Sequence, residues 1–191
     1  MAPSNEMSAE ERLIARYFRP LATSPGAFGL EDDAAVVTPP PGCDLVLTTD
    51  GVIAGVHFFP DDPPEKIARK VLRINLSDLA AKGARPVGFL LSVALPAAIE
   101  EAWIAAFATG LGEDIKHYGC PLLGGDTDHT PGPLSVSITA FGAVPHGKMV
   151  RRSTAKPVTA WWSPAQSAMP LSACSSGATR VLPRRGACPR R

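Results

Sequence analysis

No acidic residue follows Asp128. All 18 Asp and Glu residues lie at or before it, so a net charge of +1 hides an acidic head and a basic tail. Also lacking is any apolar run near the roughly 20 residues that a membrane-spanning helix requires. Met1 to Glu11 has neither the basic start nor the apolar centre of a signal peptide, so a cytoplasmic compartment with no membrane partner is expected. The four cysteines, Cys43, Cys120, Cys174 and Cys188, form no CxxC pair, which argues against a zinc site or a disulfide framework and for thiols. No GxxxxGK[ST] segment occurs, excluding the P-loop route to ATP, and kinase-type HRD and DFG patterns are missing.

What remains is a chain of 191 residues, 45% hydrophobic and 19% charged, enough for one sizeable core and a second partial domain. Ser8 with Glu11 makes a capping box, and Leu13, Ile14, Tyr17 and Phe18 share a face, so a helix is expected over Ser8 to Phe18. Pro20 to Gly29 reads as a loop. Ala34 to Val37 suits a buried strand, and Asp44 to Thr49 a second one. Asp62-Pro63-Pro64-Glu65 is a helix start, with the helix running to about Lys82, stopped by Gly83, and turning Ile67, Val71, Leu72 and Ile74 inward. Val87 to Leu95 reads as a central strand and Ile99 to Tyr118 as an amphipathic helix stopped by Gly119, with Trp103 in the core. Pro121 to Leu123 is a short strand ending at Gly124-Gly125, and Leu134 to Val144 a longer one. The order β-β-α-β-α-β-β is mixed α/β.

Acidic groups recur at the ends of apolar runs or within a helical one. Asp32-Asp33 precedes Ala34, Thr48-Thr49-Asp50 ends a β-type run, Asp78 lies three residues after Asn75, and Asp126 follows Gly124-Gly125. Four or five carboxylates sharing a small site need cations, because two unit charges about 4 Å apart repel by roughly 4 kcal/mol at an effective dielectric of 20. Oxygen-only donors suit magnesium, which prefers to be shared with substrate phosphates. Gly124-Gly125 lets backbone amides approach an anion. Phosphoryl transfer at such a site relies on metals and positioning, with no side-chain nucleophile.

Five segments, in order and spacing, resemble the thiamine-monophosphate kinase family: Gly29 to Ala35; Thr48 to Val52 with Gly55-Val56-His57-Phe58; Asn75 to Ala84; Gly124 to Thr127; and Arg152-Ser153 with Ala155-Lys156-Pro157. The second-last and the Asn75 segment recur across the wider aminoimidazole-ribonucleotide-synthetase-like (PurM-like) superfamily. The resemblance implies its α/β N-terminal domain, with a mixed sheet flanked by helices, over residues 1–157. It further implies ATP-dependent phosphorylation of thiamine monophosphate to thiamine diphosphate with Mg2+, in a homodimer. Matched positions would make Asp33, Thr48, Thr49, Asp50, Asp78 and Asp126 metal ligands, and His57 a substrate contact. Gly125, Asp126, Arg152 and, more weakly matched, Tyr118 would be nucleotide contacts. Another ATP-using superfamily member and an inactive nucleotide-binding or dimerising fragment are the alternatives.

Two departures stand out. Glu31 replaces the glycine usual before the Asp pair, adding a charge and a side chain. After Pro157 the resemblance stops, and residues 158–191 are Ser, Ala, Pro, Arg and Cys with no acid and no sustained apolar period. An out-of-frame reading in place of a second α/β domain, mostly irregular and without a nucleic-acid partner, is the expectation there, with activity reduced or lost.

Overall fold

The computed structural model describes residues 7–154. Residues up to Met149 belong to one compact unit, and Val150 onward to a second, of which only the 3-10 turn Arg152–Thr154 has regular structure among the described residues. The tail from 158 lies outside the described residues.

The first helix is shorter than its apolar face suggests. The capping box at Ser8 is present, starting α1 (Ala9–Leu13), but the chain then widens into a π-helical turn, Ile14–Phe18, whose end is marked by the Arg19 amide bonding Ile14 O. Pro20 follows in a 3-10 turn, where its missing N–H does no harm. A four-stranded sheet comes next, built from β1 (Cys43–Ile53), β2 (Arg85–Pro96), β3 (Leu122–Thr130) and β4 (Ser135–Pro145). Its order is β1-β4-β2-β3, with β2 parallel to β3 and the other pairs antiparallel. The strands are therefore mixed, and β1 and β3 are the edges.

Two helices connect them. α2 (Pro64–Ala81) carries proline in its first turn, and α3 (Glu101–Tyr118) ends on Gly119, which adopts the left-handed conformation at φ 62°. Ile67, Val71, Leu72 and Leu79 of α2 join Phe107 and Leu111 of α3 in one core with Phe89 and Ile138 of the sheet. Trp103 is half-buried and stacks on Phe107 at 5.2 Å, as a core residue would. Arg73 and Asp114 tie the two helices with paired bonds of 2.7 and 2.8 Å.

Two strand expectations are corrected. Ala34 to Val37 is not a strand, so the order is β-α-β-α-β-β; the segment is held instead by one bond from Val36 N–H to Gly26 O at 2.8 Å. Four apolar residues satisfied the strand pattern, but the segment pairs with neither edge strand of the sheet. β3 does not stop at Gly124 but continues to Thr130, because β2 supplies parallel partners from Leu90 to Pro96.

Candidate functional site

Strand alternation decides where the polar side chains go. On β1, Thr48 and Asp50 share the phase of the buried Val46 and Val52, which faces the helices, while Thr49 falls on the opposite phase with exposed Leu47. Accordingly the Thr48 hydroxyl donates to Asp78 of α2 at 3.2 Å. Thr49 instead bonds Ile138 O at 3.2 Å and receives the Thr139 hydroxyl at 3.0 Å. Asn75, one turn before Asp78, is fully buried and accepts the Asp50 amide at 3.0 Å. Thr48, Asp50 and Asp78 thus form one oxygen-rich group where β1 meets α2.

Asp126 belongs elsewhere. Its register row runs Gly51, Ser137, Ser92, Asp126 across the sheet, on the phase opposite to buried Leu91 and Ile138. There it lines a cleft of about 840 Å³ together with Asp32, Asp33, Glu31 and Glu10. Serine and threonine hydroxyls from Ser92, Thr127, Ser137 and Thr139 complete the polar lining, and no Lys, Arg or His is among its lining residues. Gly124 and Gly125 form part of the wall.

The acidic loop over this cleft is strained. Phe28 and Leu30 hold φ of 48° and 57°, conformations that disfavour non-glycine residues by about 1 kcal/mol or more each. Asp33 N–H bonds the Asp32 carboxylate at 3.0 Å, and Glu31 pairs with Arg19 at 3.1 Å. The extra carboxylate at position 31 is therefore countered by a neighbouring cation.

The six residues matched to metal ligands are consequently divided between two places rather than gathered in one. Gly51 and Asp126 stand at opposite edges of the sheet, three strand spacings or roughly 14 Å apart. Among the described residues, no three His, Cys, Asp or Glu side chains are placed to hold one metal ion. The donors are all hard oxygens, which fits magnesium, an ion that uses one or two carboxylates and takes other oxygens from water and phosphates.

The nucleotide and substrate candidates are scattered too. His57 is exposed on the loop after β1, its Nδ1 accepting the Ile53 amide at 3.1 Å and its carbonyl bonded by Lys70. With Nδ1 as acceptor, the neutral ring carries its proton on Nε2, a donor directed away from that bond. Tyr118, at the end of α3, lines a different hollow with Arg73 and Leu76. Arg152 lies in the turn Arg152–Thr154 of the second unit. The sequence reading missed the buried role of Asn75 and the cleft hydroxyls; Ser92, which interrupts the apolar run of β2, was the available signal for the latter.

The geometry is that of an α/β domain with an acidic, hydroxyl-lined cleft, and residues 31–144 match the family of AIR synthase related protein, N-terminal domain. The chain belongs to that family. Within it, the chain is 48% identical over 157 residues to the thiamine-monophosphate kinase of Caulobacter vibrioides, covering 82% of this chain and 45% of that protein. The crystal structure of thiamine-monophosphate kinase from Stenotrophomonas maltophilia superposes with a TM-score of 0.63 at 40% identity, over 78% of this chain and 45% of that one. AaThiL complexed with AMPPCP and TMP superposes at 0.58 with 26% identity, over 80% and 48%. The chain spans less than half the length of these relatives. No described helix is long and apolar enough to cross a membrane.

Proposed function

We propose that this chain is the N-terminal part of a thiamine-monophosphate kinase, phosphorylating thiamine monophosphate to thiamine diphosphate with ATP. The observation that carries the reading is the cleft, where five carboxylates and four hydroxyls meet two glycines with no basic side chain among the lining residues. Such a lining repels a bare triphosphate and attracts one that arrives with divalent cations. AaThiL, crystallised with an ATP analogue and TMP, supports the same pair of ligands here.

On this reading Asp33 and Asp126 hold magnesium on the cleft side, and Thr48, Asp50 and Asp78 hold it on the β1–α2 side, with Thr49 between them. Bound there, magnesium would neutralise phosphate charge. Gly125 and Asp126 contact the nucleotide in the cleft, while Arg152 and Tyr118 are nucleotide contacts by family match alone. The Nε2–H of His57 orients the thiamine monophosphate. No side chain acts as a nucleophile; the residues align acceptor phosphate and γ-phosphate for in-line transfer.

A second copy of the chain completes the site. The separation of Gly51 from Asp126 leaves the two acidic groups too far apart for one cation in a single chain. Exposed Leu47 and Ile53 on the outward phase of edge strand β1 offer a face for pairing. We place the homodimer in the cytoplasm.

The test is conversion of thiamine monophosphate and ATP to thiamine diphosphate by the purified chain with magnesium, beside equilibrium binding of a non-hydrolysable ATP analogue. Product formation supports the kinase reading. Magnesium-dependent binding without product identifies a nucleotide-binding module, and the absence of both product and binding refutes the reading.

A further inference from the structure

Asn75 is the one polar side chain that the described core buries completely. A carboxamide without partners there would cost free energy, so its bonds are informative. Its Nδ2 donates to Val71 O, one helical turn back, at 2.9 Å, which locks the side chain to α2. The same amide presents Oδ1 to the Asp50 N–H at 3.0 Å and Nδ2 towards the Asp50 carbonyl at a long 3.5 Å. Both faces of the Asp50 backbone are therefore met by one buried group on another element.

Three residues on, Asp78 stands on the same helix and takes the hydroxyl of Thr48, two residues before Asp50. Two cross-links thus join β1 to α2 on either side of the Asp50–Asp78 pair. One is exposed and polar, and the other is buried and fixed.

We infer that Asn75 is a positioning residue for the cation-binding pair: it holds the Asp50 backbone against α2, and so sets the separation of the Asp50 and Asp78 carboxylates. Asn75 is fully buried and its side-chain bonds go to Val71 O and the Asp50 backbone, so it acts through Asp50. The inference rests on the proposed role of Asp50 and Asp78 in holding magnesium.

Two measurements on the full chain test it. In the wild-type protein, titration with Mg2+ alone is followed by NMR at the Asp50 backbone amide and the Asn75 side-chain amide. The two resonances should move together with one apparent Kd. Movement of Asp50 without Asn75 overturns the positioning role, while movement of neither overturns the cation role of Asp50 on which it depends.

The second measurement compares magnesium-dependent affinity for a non-hydrolysable ATP analogue in Asn75→Ala, Asp50→Asn and the double variant. Asn75→Ala should weaken binding about tenfold, and the double variant should bind no more weakly than Asp50→Asn, because both changes remove one function. Losses that multiply, or wild-type affinity in a folded Asn75→Ala, refute the inference. If Asn75→Ala does not fold, the NMR titration decides alone.

Discussion

Gly124 and Gly125 are neighbours in sequence and opposites in tolerance. A Cβ built on Gly125 falls 1.7 Å from the Leu91 carbonyl oxygen of the paired strand and 2.7 Å from its carbon, against an ordinary limit near 3 Å. The nearest atoms are all Leu91 backbone, so no flexible side chain is there to yield. Gly125→Ala must therefore push β3 from β2 by more than 1 Å at the point where the cleft begins. Overpacking of this kind costs about 1–3 kcal/mol, and loss of a ladder hydrogen bond adds about 1 kcal/mol, giving about 2–4 kcal/mol in all. Gly124→Ala meets only Leu90 Cδ2 at 3.4 Å, an ordinary contact, and should cost less than about 1 kcal/mol. Urea unfolding reads the difference directly: with m near 2 kcal/mol/M, Gly125→Ala should lower the midpoint by about 1–2 M and Gly124→Ala by under about 0.5 M. Because Asp126 follows Gly125, magnesium-nucleotide affinity should fall in step for Gly125→Ala. Equal midpoints for the two variants would refute the reasoning.

Other outcomes follow from single contacts. Asp50→Asn should weaken magnesium-nucleotide binding at least about tenfold while leaving the urea midpoint nearly unchanged, as equilibrium binding beside unfolding would read. Arg73→Ala should cost about 3–5 kcal/mol in the same unfolding assay, since it strands the Asp114 carboxylate at 4% side-chain exposure, whereas Asp114→Asn leaves a half-exposed arginine that water can serve and costs less. Asp44 accepts the Gly147 amide at 2.8 Å and meets His146 Nδ1 at 2.6 Å, and these contacts, the amide foremost, hold its carboxyl below the ordinary carboxylate value. A lowered folded value stabilises above the unfolded value of about 3.9 and is lost on acidification. The Tm gap between wild type and Asp44→Asn should therefore be full at neutral pH and close below about pH 4. Burial pushes the Cys120 thiol up to about 12, so alkylation mapped by mass spectrometry at mildly alkaline pH should leave Cys120 unmodified until denaturant is added.

Much of the frame was legible because it rests on local chemistry. The proline-bearing start and glycine stop of α2, and the Gly119 terminus of α3, lie within a residue or two of where their residues put them. The run Val87 to Leu95 declared an interior strand, and β2 is one. What failed depended on partners the chain does not announce. Ala34 to Val37 had the composition of a strand but pairs with neither edge of the sheet, while β3 outran its apolar residues because β2 lay alongside Gly125 to Thr130. The helix through Phe18 met its pattern until the π turn and Pro20 altered its pitch. Asn75 and Asp78 stood out as polar neighbours amid Leu76, Leu79, Ala80 and Ala81, but periodicity gives a helix face and not what that face meets, so the bond to the Asp50 backbone was not legible.

The division of the acidic residues shows why motif order alone could not describe the site. Thr48, Thr49 and Asp50 are consecutive, and pleating sends the middle one to the other face of the sheet, so one motif presents oxygens to both faces. Asp126 reaches only the cleft, and Asp78 only the β1–α2 junction. The two groups lie on opposite phases of the sheet and three strand spacings apart, so within one chain each must be neutralised by its own cation. On the proposed reading the aspartates would act as two half-sites, each held by its own backbone contact: Gly125 against Leu91 for one and Asn75 on Asp50 for the other. If that is so, substitutions at Gly125 and at Asn75 should weaken nucleotide binding independently, their losses multiplying, because the two contacts share no residue and act on different edges of the sheet. Sub-multiplicative losses in the Gly125→Ala, Asn75→Ala double variant would show a single coupled site instead.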